Sequence, residues 1–407
     1  MKKKPSRRSF LRTSFRAAAG LGCLAALGTQ QQCRTSSSVG QRRPSAARAF
    51  ATLRIDGDHY AIGFAMGFHF GNEIRQVLRA RQVWFQRLQA HVTGTGAAYF
   101  AELRRQAERH FPQLMEELRG MADGAHLPLD DLFLLNVKAE IGARLFGAEV
   151  KDPGCSSVYL VRDGERTLLH NEDGHRVFAD NMFLLQATPP SGVSFTVLVY
   201  PGTLPGNGPG INTRGIIQTT NFIAARDSHV GVPRYFLNRA VLEAESLDDA
   251  IDRATFTPRA FAYHHNLASV PENRLISLEV TPERHSIVEP LETYCHTNHL
   301  IHEATTGYAQ DEVYVRASSL TRYEVIQAAI QRHGGPDPLD KKQVLDILSS
   351  HRQAPHSPCR HPDGDVTGQT LATAVFPVAD GTMHLYKGNP CTAVPAGHLT
   401  IYRRPVH

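Results

Sequence analysis

The stretch Pro153-Gly154-Cys155-Ser156-Ser157 opens the segment of sequence that decides the fold. In residues 153–173, PGCSSVYLVRDGERTLLHNED, two β-rich runs at 157–161 and 166–170 flank the dipeptide Asp163-Gly164. An Asp-Gly pair between two such runs is a strong signal of a two-residue β-hairpin. The sequence therefore predicts a hairpin whose first strand begins at Cys155.

The sequence before this hairpin is mainly helical, and the sequence after it is mainly β. Before the hairpin, we predict a strand at 51–55, a glycine-marked turn at Gly57, Gly63 and Gly67, and helices at 71–90, 99–121 and 129–145. After it, we predict strands at 182–187, 194–200, 215–220, 260–268, 275–280, 285–288, 371–378, 382–386 and 398–402. Helices at 234–244, 247–254, 311–332 and 338–348 interrupt them, the last with Asp337 as its N-cap. This order predicts an α+β fold.

The first 28 residues are typical of an export signal. The paired arginines of Ser6-Arg7-Arg8-Ser9-Phe10-Leu11 resemble the twin-arginine motif, and the uncharged run 17–28 follows them. A membrane-spanning helix needs about 20 apolar residues, so this shorter run is the core of a signal peptide. We therefore expect export to the periplasm or secretion, with the export machinery as a partner. Cys23 matches a lipoprotein cleavage box poorly, which argues against a lipid anchor, and 29–50 has the composition of a linker.

Charge argues against nucleic acid as a partner. The chain of 407 residues has a net charge of +5, but its first 50 residues contain 11 Lys and Arg and no acidic residue. The remainder carries 33 basic and 39 acidic residues and a net charge of −6. The basic excess therefore lies outside the predicted fold, where it gives the folded part no general affinity for polyanions.

Cys155 stands where a chain terminus could be created. If the Gly154–Cys155 peptide bond were cut, the freed α-amino group, with a pKa near about 8, could act as the base for the Cys155 thiol. Gly154 would favour the cut by leaving its carbonyl unshielded and by permitting strained backbone angles. Read from these residues alone, a buried and inert structural cysteine remains the alternative.

Several sequence blocks, taken together, resemble one family. They are Phe111-Pro112, Glu117 to Ala125, Asp131-Leu132, Leu135-Asn136, Glu140-Ile141, Gly154 to Ser157, His170 to Asp173, Gly210 to Asn212 with Gly215, Thr220-Asn221, Thr297 to His299 and Pro358 to His361. In content and order these blocks are similar to the acyl-CoA:6-aminopenicillanic acid acyltransferase family, also called the C45 peptidases. The resemblance covers the chain from about residue 56 to its C-terminus.

The resemblance implies an N-terminal-nucleophile hydrolase, a four-layer αββα sandwich of two antiparallel sheets between helical layers. It implies that Cys155 is the nucleophile and that self-cleavage after Gly154 exposes it. The products would be a helical α chain, 51–154, and a sheet-rich β chain, 155–407, that stay associated. Asp173 would orient the new α-amino group; a turn-capping aspartate is the alternative. The substrate would be a small acyl amide or thioester.

Three further residues take roles from the same resemblance. Asn298 is implied to donate to the oxyanion of the tetrahedral intermediate, and Asn221 to line the same site; asparagines at strand ends are otherwise turn residues. Arg360 is implied to fix Asp173 or to meet a substrate carboxylate, with an exposed loop arginine as the alternative. The family's aromatic residue after the aspartate is absent from Gly174-His175, which leaves the acyl pocket and substrate choice open.

Two other functions compete with this hypothesis. His351, His356, Cys359 and His361 form a cluster of zinc-ligand types, which would suit a zinc-dependent hydrolase, although a proline-rich surface loop explains them equally. A periplasmic binding module that kept the fold without turnover is the other alternative. The acyltransferase hypothesis itself requires no cofactor and no metal.

Overall fold

Two β-sheets lie face to face between helical layers in a computed structural model, which describes residues 49–146, 154–333, 339–364, 366–393, 395–400 and 402. The expected signal, 1–28, and all but the last two residues of the linker lie outside this range. Within it, no helix combines the length and the apolar character that crossing a membrane requires. The third and fourth parts of the expected domain organisation, the helical region and the sheet-rich region, make up almost all of the described residues.

The helices of the N-terminal region precede the hairpin, and the others lie between strands. They are α1 His59–Ala80, α2 Gln82–Val92, α3 Ala97–His110, α4 Pro112–Ala125, α5 Leu129–Asn136, α6 Lys138–Phe146, α7 Arg234–Val241, α8 Leu247–Ala254, α9 Glu312–Tyr314, α10 Thr321–His333 and α11 Lys341–Leu348. A π-helical turn, Val315–Leu320, joins α9 to α10.

The strands form two sheets. They are β1 Ala51–Asp56, β2 Ser156–Arg162, β3 Glu165–His175, β4 Phe183–Thr188, β5 Phe195–Val199, β6 Gly210–Asn212, β7 Ile216–Phe222, β8 Tyr263–Ser269, β9 Arg274–Val280, β10 His285–Val288, β11 Tyr294–His296, β12 Gly368–Pro377, β13 Thr382–Lys387 and β14 Pro395–Thr400. One sheet has the order β1-β4-β5-β6-β7-β8-β9-β10 and the other β11-β2-β3-β12-β13-β14. Strand β1 pairs with β4 in parallel, and all other pairs are antiparallel.

Each interface between layers has an apolar core. Residues of both sheets, among them Leu168 and Leu198, share the core between the sheets. Helices α1 to α6 pack on the eight-stranded sheet around Phe183 and Phe195, and α10 and α11 cover the six-stranded sheet. The four-layer α+β sandwich implied by the resemblance is therefore confirmed, with the parallel β1–β4 pair as its one departure from antiparallel pairing.

The glycine-marked turn and the unbroken helices predicted for the helical region were wrong; 71–90 and 129–145 are each divided, at Arg81 and Val137. Gly63 and Gly67 lie inside α1 and do not form a turn. They are glycines because α1 and α4 approach so closely that a Cβ at either position would overlap the α4 backbone. The predicted helix 99–121 is two helices, because Pro112 lacks a backbone N–H and begins α4 as its first residue. The spacing of apolar residues continues across this break, which is why periodicity alone did not detect it.

The predicted N-cap of the last helix was also misplaced. Asp340 caps α11 by accepting from the Gln343 backbone N–H, and the Gln343 side chain accepts from the Asp340 N–H in return. This reciprocal capping box satisfies two backbone donors at once. The residue predicted for this role, Asp337, lies outside the described residues.

Candidate active site

The hairpin places Cys155 directly before strand β2 of the six-stranded sheet. Asp163 and Gly164 both have positive φ, 50° and 81°, and Arg162 pairs with Glu165 across them, as the Asp-Gly signal predicted. The register ends with Ser156 opposite Asn171. Cys155 therefore comes directly before the first paired residue of β2, on the side where β3 carries Glu172 and Asp173.

A cavity of about 60 Å³ lies beside Cys155. Its lining combines one thiol, two carboxylates, several aromatic rings and several cationic groups. The lining residues are Arg81, Lys138, Cys155, Glu172, Asp173, Gly174, His175, Phe178, Tyr200, Asn207, Thr220, Phe222, Arg234, Tyr235 and Tyr263. The Cys155 side chain is nearly enclosed, so a substrate would have to reach it through this cavity.

The Cys155 thiol is held in its protonated form. It donates to Glu172 Oε1 at 3.6 Å, while the backbone N–H of Asp173 points to its sulfur. Burial raises the pKa of the thiol well above its usual value, and the charges of Glu172 and Asp173 raise it further. In the intact chain Cys155 is thus a neutral thiol that needs a base before it can attack.

Asp173 lines the cavity beside Cys155, with Arg360 as a neighbour. Its Oδ1 accepts from the Thr370 hydroxyl at 2.7 Å, and its Oδ2 lies 3.9 Å from Arg360 Nε. Burial raises the pKa of Asp173 to about 6, although Arg360, Arg322 and the Thr370 hydroxyl act in the opposite direction. Asp173 lies within β3 and does not cap a turn.

Arg360 is buried and does not resemble an exposed loop arginine. Only 3% of it is accessible, and its Nη2 donates to Ser318 Oγ at 2.6 Å. It does not line the cavity beside Cys155. Of the two roles implied for Arg360, its position favours contact with Asp173 over contact with a substrate.

Asn298 lies against the Gly154–Cys155 junction. Its Nδ2 donates to the Phe222 carbonyl at 2.8 Å, and its Oδ1 accepts from Arg322 at 2.6 Å, which together fix the orientation of the amide. A Cβ on Gly154 would overlap Asn298 Oδ1. The amide oxygen is thus the Asn298 atom nearest Gly154, and the predicted oxyanion role would fall to the second hydrogen of Nδ2.

The reason for a glycine at position 154 differs from the one expected. Gly154 is absent from the residues of positive φ among the described part of the chain, so no left-handed backbone requires it there. Instead, a side chain would collide with Asn298 and with the hydroxyl of Tyr314. Close approach of neighbouring side chains, rather than backbone strain, accounts for Gly154.

Asn221 lies apart from the cavity. Thr220 and Phe222, its neighbours in β7, line the cavity, whereas Asn221 points between the sheets. There its Oδ1 accepts from Ser157 Oγ at 3.0 Å and from Asn266 Nδ2 at 2.8 Å, and its Nδ2 has no partner among the described residues. The oxyanion role of Asn221 stays a prediction, with this network as its surroundings.

Sequence reasoning missed Arg322. Its fully buried guanidinium donates to the Cys155 carbonyl at 2.5 Å, to Ser156 Oγ at 2.9 Å and to Asn298 Oδ1. One side chain of α10 thereby connects the cysteine to the predicted oxyanion donor. No motif surrounds Arg322, and only its place in an otherwise apolar helical repeat could have drawn attention to it.

Glu172 lies in the block His170 to Asp173, but the sequence predicted no catalytic role for it. Its Oε1 accepts from Tyr200 Oη at 2.5 Å as well as from the Cys155 thiol, and its Oε2 lies 3.2 Å from His170 Nε2. Successive residues of a regular strand face opposite sides, so Glu172 and Asp173 were not expected to share a cavity. A bulge at Leu371 in β12, opposite these two residues, interrupts the regular pattern.

The predicted zinc cluster forms with one change of member. His351, Cys359 and His361 converge with Cys391, and the donor atoms of all four lie within 4.8 Å of one another. His356 is not part of the group. Cys391 was missed because about thirty residues of sequence separate it from Cys359, and these include two strands. None of the four lines the cavity beside Cys155.

The four-layer sandwich, with a cysteine directly after a glycine at the start of a strand, is the architecture of the N-terminal-nucleophile hydrolases. Within that class, residues 161–392 match the model of a single family, described as acyl-coenzyme A:6-aminopenicillanic acid acyl-transferase. The chain belongs to this family, and the resemblance seen in the sequence is confirmed.

Two relatives cover most of the chain. A beta-alanyl-dopamine/carcinine hydrolase of Drosophila melanogaster is 25% identical over 380 residues, which are 87% of this chain and 97% of that protein. The 40 kDa form of an acyl-coenzyme A:6-aminopenicillanic-acid-acyltransferase of Emericella nidulans is 22% identical, over 84% of this chain and 87% of its own length. The relatives of this chain thus include a hydrolase and an acyltransferase, and the chain belongs to a family of hydrolase and acyltransferase enzymes.

Solved structures show more distant similarity. A mutant of the conjugated bile acid hydrolase from Clostridium perfringens has a TM-score of 0.41 and 10% identity, and covers 62% of this chain and 99% of its own. Penicillin V acylase from Agrobacterium tumefaciens has a TM-score of 0.37 and 10% identity, with coverages of 57% and 82%.

Proposed function

We propose that this protein is an exported, self-cleaving N-terminal-cysteine hydrolase or acyltransferase that acts on amide bonds through a thioester on Cys155. The observation that carries the proposal is the junction itself. Cys155 begins the hairpin directly after Gly154, its thiol faces a cavity with two carboxylates, and Gly154 packs on Asn298. A thiol, two carboxylates and a side-chain amide therefore lie close to one peptide bond, which supports the proposal.

Self-cleavage begins with the thiol. Glu172 accepts the Cys155 proton along the existing hydrogen bond, and the sulfur attacks the Gly154 carbonyl carbon. Asn298 donates to the oxyanion that forms, while Arg322 holds the Cys155 carbonyl. The carbon–nitrogen bond breaks, the nitrogen takes up the proton, and a thioester links Gly154 to Cys155. Water hydrolyses this ester to a Gly154 carboxylate and restores the thiol.

The released amine then becomes the base for turnover. In the intact chain the Cys155 nitrogen is an amide, which cannot accept a proton at neutral pH. After cleavage it is an α-amine with a pKa near about 8, placed next to its own thiol and near Asp173. It takes the thiol proton as sulfur attacks the substrate carbonyl and returns it to the leaving amine. Water or an acceptor amine completes the cycle.

The α and β chains are expected to remain together after the cut. Strand β1 of the α chain pairs with β4 of the β chain over six residue pairs, and the α-chain helices share an apolar core with the eight-stranded sheet. Separation would expose this core to water at a cost of about 25 cal/mol per Å². Two fragments that elute as one species would support this expectation.

The substrate is proposed to be a small acyl amide or thioester. Aromatic rings and cationic groups surround the carboxylates of the cavity, which suits a compact molecule with both apolar and charged parts. The relatives suggest the compounds to test first: beta-alanyl-dopamine, carcinine, and an acyl-CoA with 6-aminopenicillanic acid. Release of the amine without an acceptor would indicate hydrolysis, and dependence on an acceptor would indicate transfer.

Export through the twin-arginine pathway is a separate part of the proposal. It rests on Arg7 and Arg8 followed by Phe10-Leu11 and the uncharged run 17–28. Replacing Arg7 and Arg8 by Lys keeps the charge but removes the recognised pair, so folded protein should accumulate in the cytoplasm. Unchanged export of this double variant would rule out the twin-arginine assignment.

N-terminal sequencing and intact-mass measurement test the self-cleavage. The β fragment of the wild-type protein should begin with Cys155-Ser156-Ser157, and the Cys155→Ala variant should remain one chain. Cys295→Ala, which changes another buried cysteine, serves as the control and should be cleaved normally. An active wild-type protein that is never cut would overturn the mechanism.

A further inference from the structure

Two cysteines and two histidines lie close together in the fold: His351, Cys359, His361 and Cys391. Two of them, Cys359 and His361, stand on either side of Arg360 in the sequence. The two sulfurs, Cys359 Sγ and Cys391 Sγ, are 3.5 Å apart, and His361 Nε2 lies 3.6 Å from the first and 3.4 Å from the second. His351 Nε2 lies 3.2 Å from His361 Nε2. All four donor atoms lie within 4.8 Å of one another.

These separations match a tetrahedral zinc site. With Zn–S bonds of about 2.3 Å and Zn–N bonds of about 2.0–2.1 Å, tetrahedral donors lie roughly 3.3–3.8 Å apart. Four of the six separations are 3.2 to 3.6 Å, which agrees with this range to within about 0.2 Å, and the other two are no longer than 4.8 Å. A disulfide would require sulfurs about 2.05 Å apart, whereas both cysteines are free thiols.

We propose that His351, Cys359, His361 and Cys391 bind one Zn²⁺ ion. Binding displaces one proton from each thiol, so two thiolates balance the charge of the ion, and both imidazoles coordinate through Nε2 in the neutral form. All four positions of the tetrahedron are then filled by the protein. Catalytic zinc keeps an open position for water or substrate, so this site is structural, and a zinc-dependent hydrolase is not supported.

A neighbouring amide supports the cysteine ligand. Asn389 Nδ2 donates to Cys359 Sγ at 3.5 Å and to the Arg360 carbonyl at 2.5 Å. Outer hydrogen bonds of this kind orient metal ligands and stabilise thiolates. Asn389 and Cys391 both follow β13, and the other three proposed ligands follow α11. The ion would therefore connect the segment after β13 to the segment after α11.

The position of the site suggests what the ion does. Arg360 lies between two proposed ligands, Cys359 and His361, and reaches Ser318 and the neighbourhood of Asp173. Fixing both flanking residues restricts the backbone from which the Arg360 side chain extends. Zinc would thus act as a positioning element for Arg360, outside the cavity where the chemistry takes place.

Metal analysis of the full-length purified protein tests the proposal. We expect one zinc per chain, and after exchange with Co²⁺ the visible absorption bands of a tetrahedral cobalt–thiolate site. Cys391→Ser should lower zinc from one per chain to none without preventing folding, because Cys391 is exposed. His356→Ala is the matched control: it removes a nearby histidine that lies outside the group and should retain the metal.

A second control separates this site from the active site. Cys155, His170 and Glu172 also bring their donor atoms within 4.8 Å, so zinc could bind there instead. Cys155→Ala should therefore keep its full zinc content. Loss of zinc in Cys155→Ala with retention in Cys391→Ser would overturn the proposal. A wild-type protein without zinc after growth in zinc-supplemented medium, or one about 2 Da lighter because of a Cys359–Cys391 disulfide, would do so as well.

Discussion

Two cysteine sites in this protein have different neighbours, and the difference explains what each can do. Burial raises the pKa of Cys155, and the nearby carboxylates of Glu172 and Asp173 raise it further, so the thiol stays protonated until Glu172 takes the proton in the proposed cleavage. Cys359 and Cys391 lie next to the imidazoles of His351 and His361. A neutral imidazole can bind a metal ion together with a thiolate. A carboxylate next to a buried thiol can act as the base that activates it, whereas imidazoles next to thiols favour metal coordination.

The comparison also separates the two sites by their consequences. Removing the Cys155 thiol removes the proposed nucleophile. Removing the Cys359 or Cys391 thiol removes a proposed zinc ligand, and with it a restraint on the backbone around Arg360. The first change should affect chemistry, and the second should affect mainly metal content.

The largest effect is expected from Cys155→Ser, compared with Cys391→Ser. A hydroxyl is a poorer nucleophile than a thiolate, so cleavage should slow strongly, and turnover should approach the loss of about 10⁶-fold typical of a removed nucleophile. The rates of fragment formation and amine release measure both effects. Cys391→Ser should be cleaved at a rate close to that of the wild type. Equal defects in the two variants would contradict the separation of the sites.

Glu172→Gln should have the next largest effect. The amide keeps the size of Glu172 and can still accept from Tyr200, but it cannot take the Cys155 proton. We expect cleavage to slow by about 10²–10⁴-fold, the usual range for a lost general base. Tyr200→Phe, which removes the hydroxyl that donates to Glu172 and to the Asp173 carbonyl but leaves the Glu172 carboxylate in place, is the control. Cleavage of Glu172→Gln at the wild-type rate would assign the proton acceptor elsewhere.

Asn298→Ala is expected to reduce the rate of acyl transfer by about 10²–10³-fold, the cost of one oxyanion donor. Asn221→Ala gives the informative comparison, because Asn221 points into the network between the sheets. It should lower the thermal midpoint while leaving the rate within about tenfold of the wild type. The reverse result, with a larger rate loss in Asn221→Ala, would exchange the roles of the two asparagines.

The sequence predicted the parts of the site that depend on local signals. Asp163-Gly164 defined the hairpin, and the hairpin defined the position of Cys155 and the strand that carries Asp173. The signals are local because φ angles and strand register are set within a few residues. The resemblance supplied the αββα layers, which no single motif encodes.

The missed residues depend on contacts between distant segments. Arg322 reaches Cys155 from 167 positions away in the sequence, and Cys391 joins His351 and Cys359 only because β12 and β13 fold between them. Glu172 shares the cavity with Asp173 opposite a bulge in the partner strand. Periodicity describes one element at a time, so it cannot reveal a meeting of side chains from several elements.

The smallest predicted effect concerns Asp173 and the pH dependence of stability in the uncleaved Cys155→Ala background. Burial raises the pKa of Asp173 in the folded chain to about 6, from an ordinary value of 3.8. A raised pKa means that the folded state binds the proton more tightly than the unfolded state. The stabilisation is therefore complete below pH 4 and is lost as the pH rises through about 6.

A double variant isolates this contribution. From about pH 7 to about pH 5, the Cys155→Ala protein should gain about 1 kcal/mol of unfolding free energy relative to Cys155→Ala/Asp173→Asn, which has no proton to bind at this position. Urea denaturation of both proteins at each pH measures the difference, and the many histidines cancel because both proteins contain them. A difference that stays constant between the two pH values would show that Arg360 keeps Asp173 ionised, and the carboxylate would then be ready for the new amine without any proton loss.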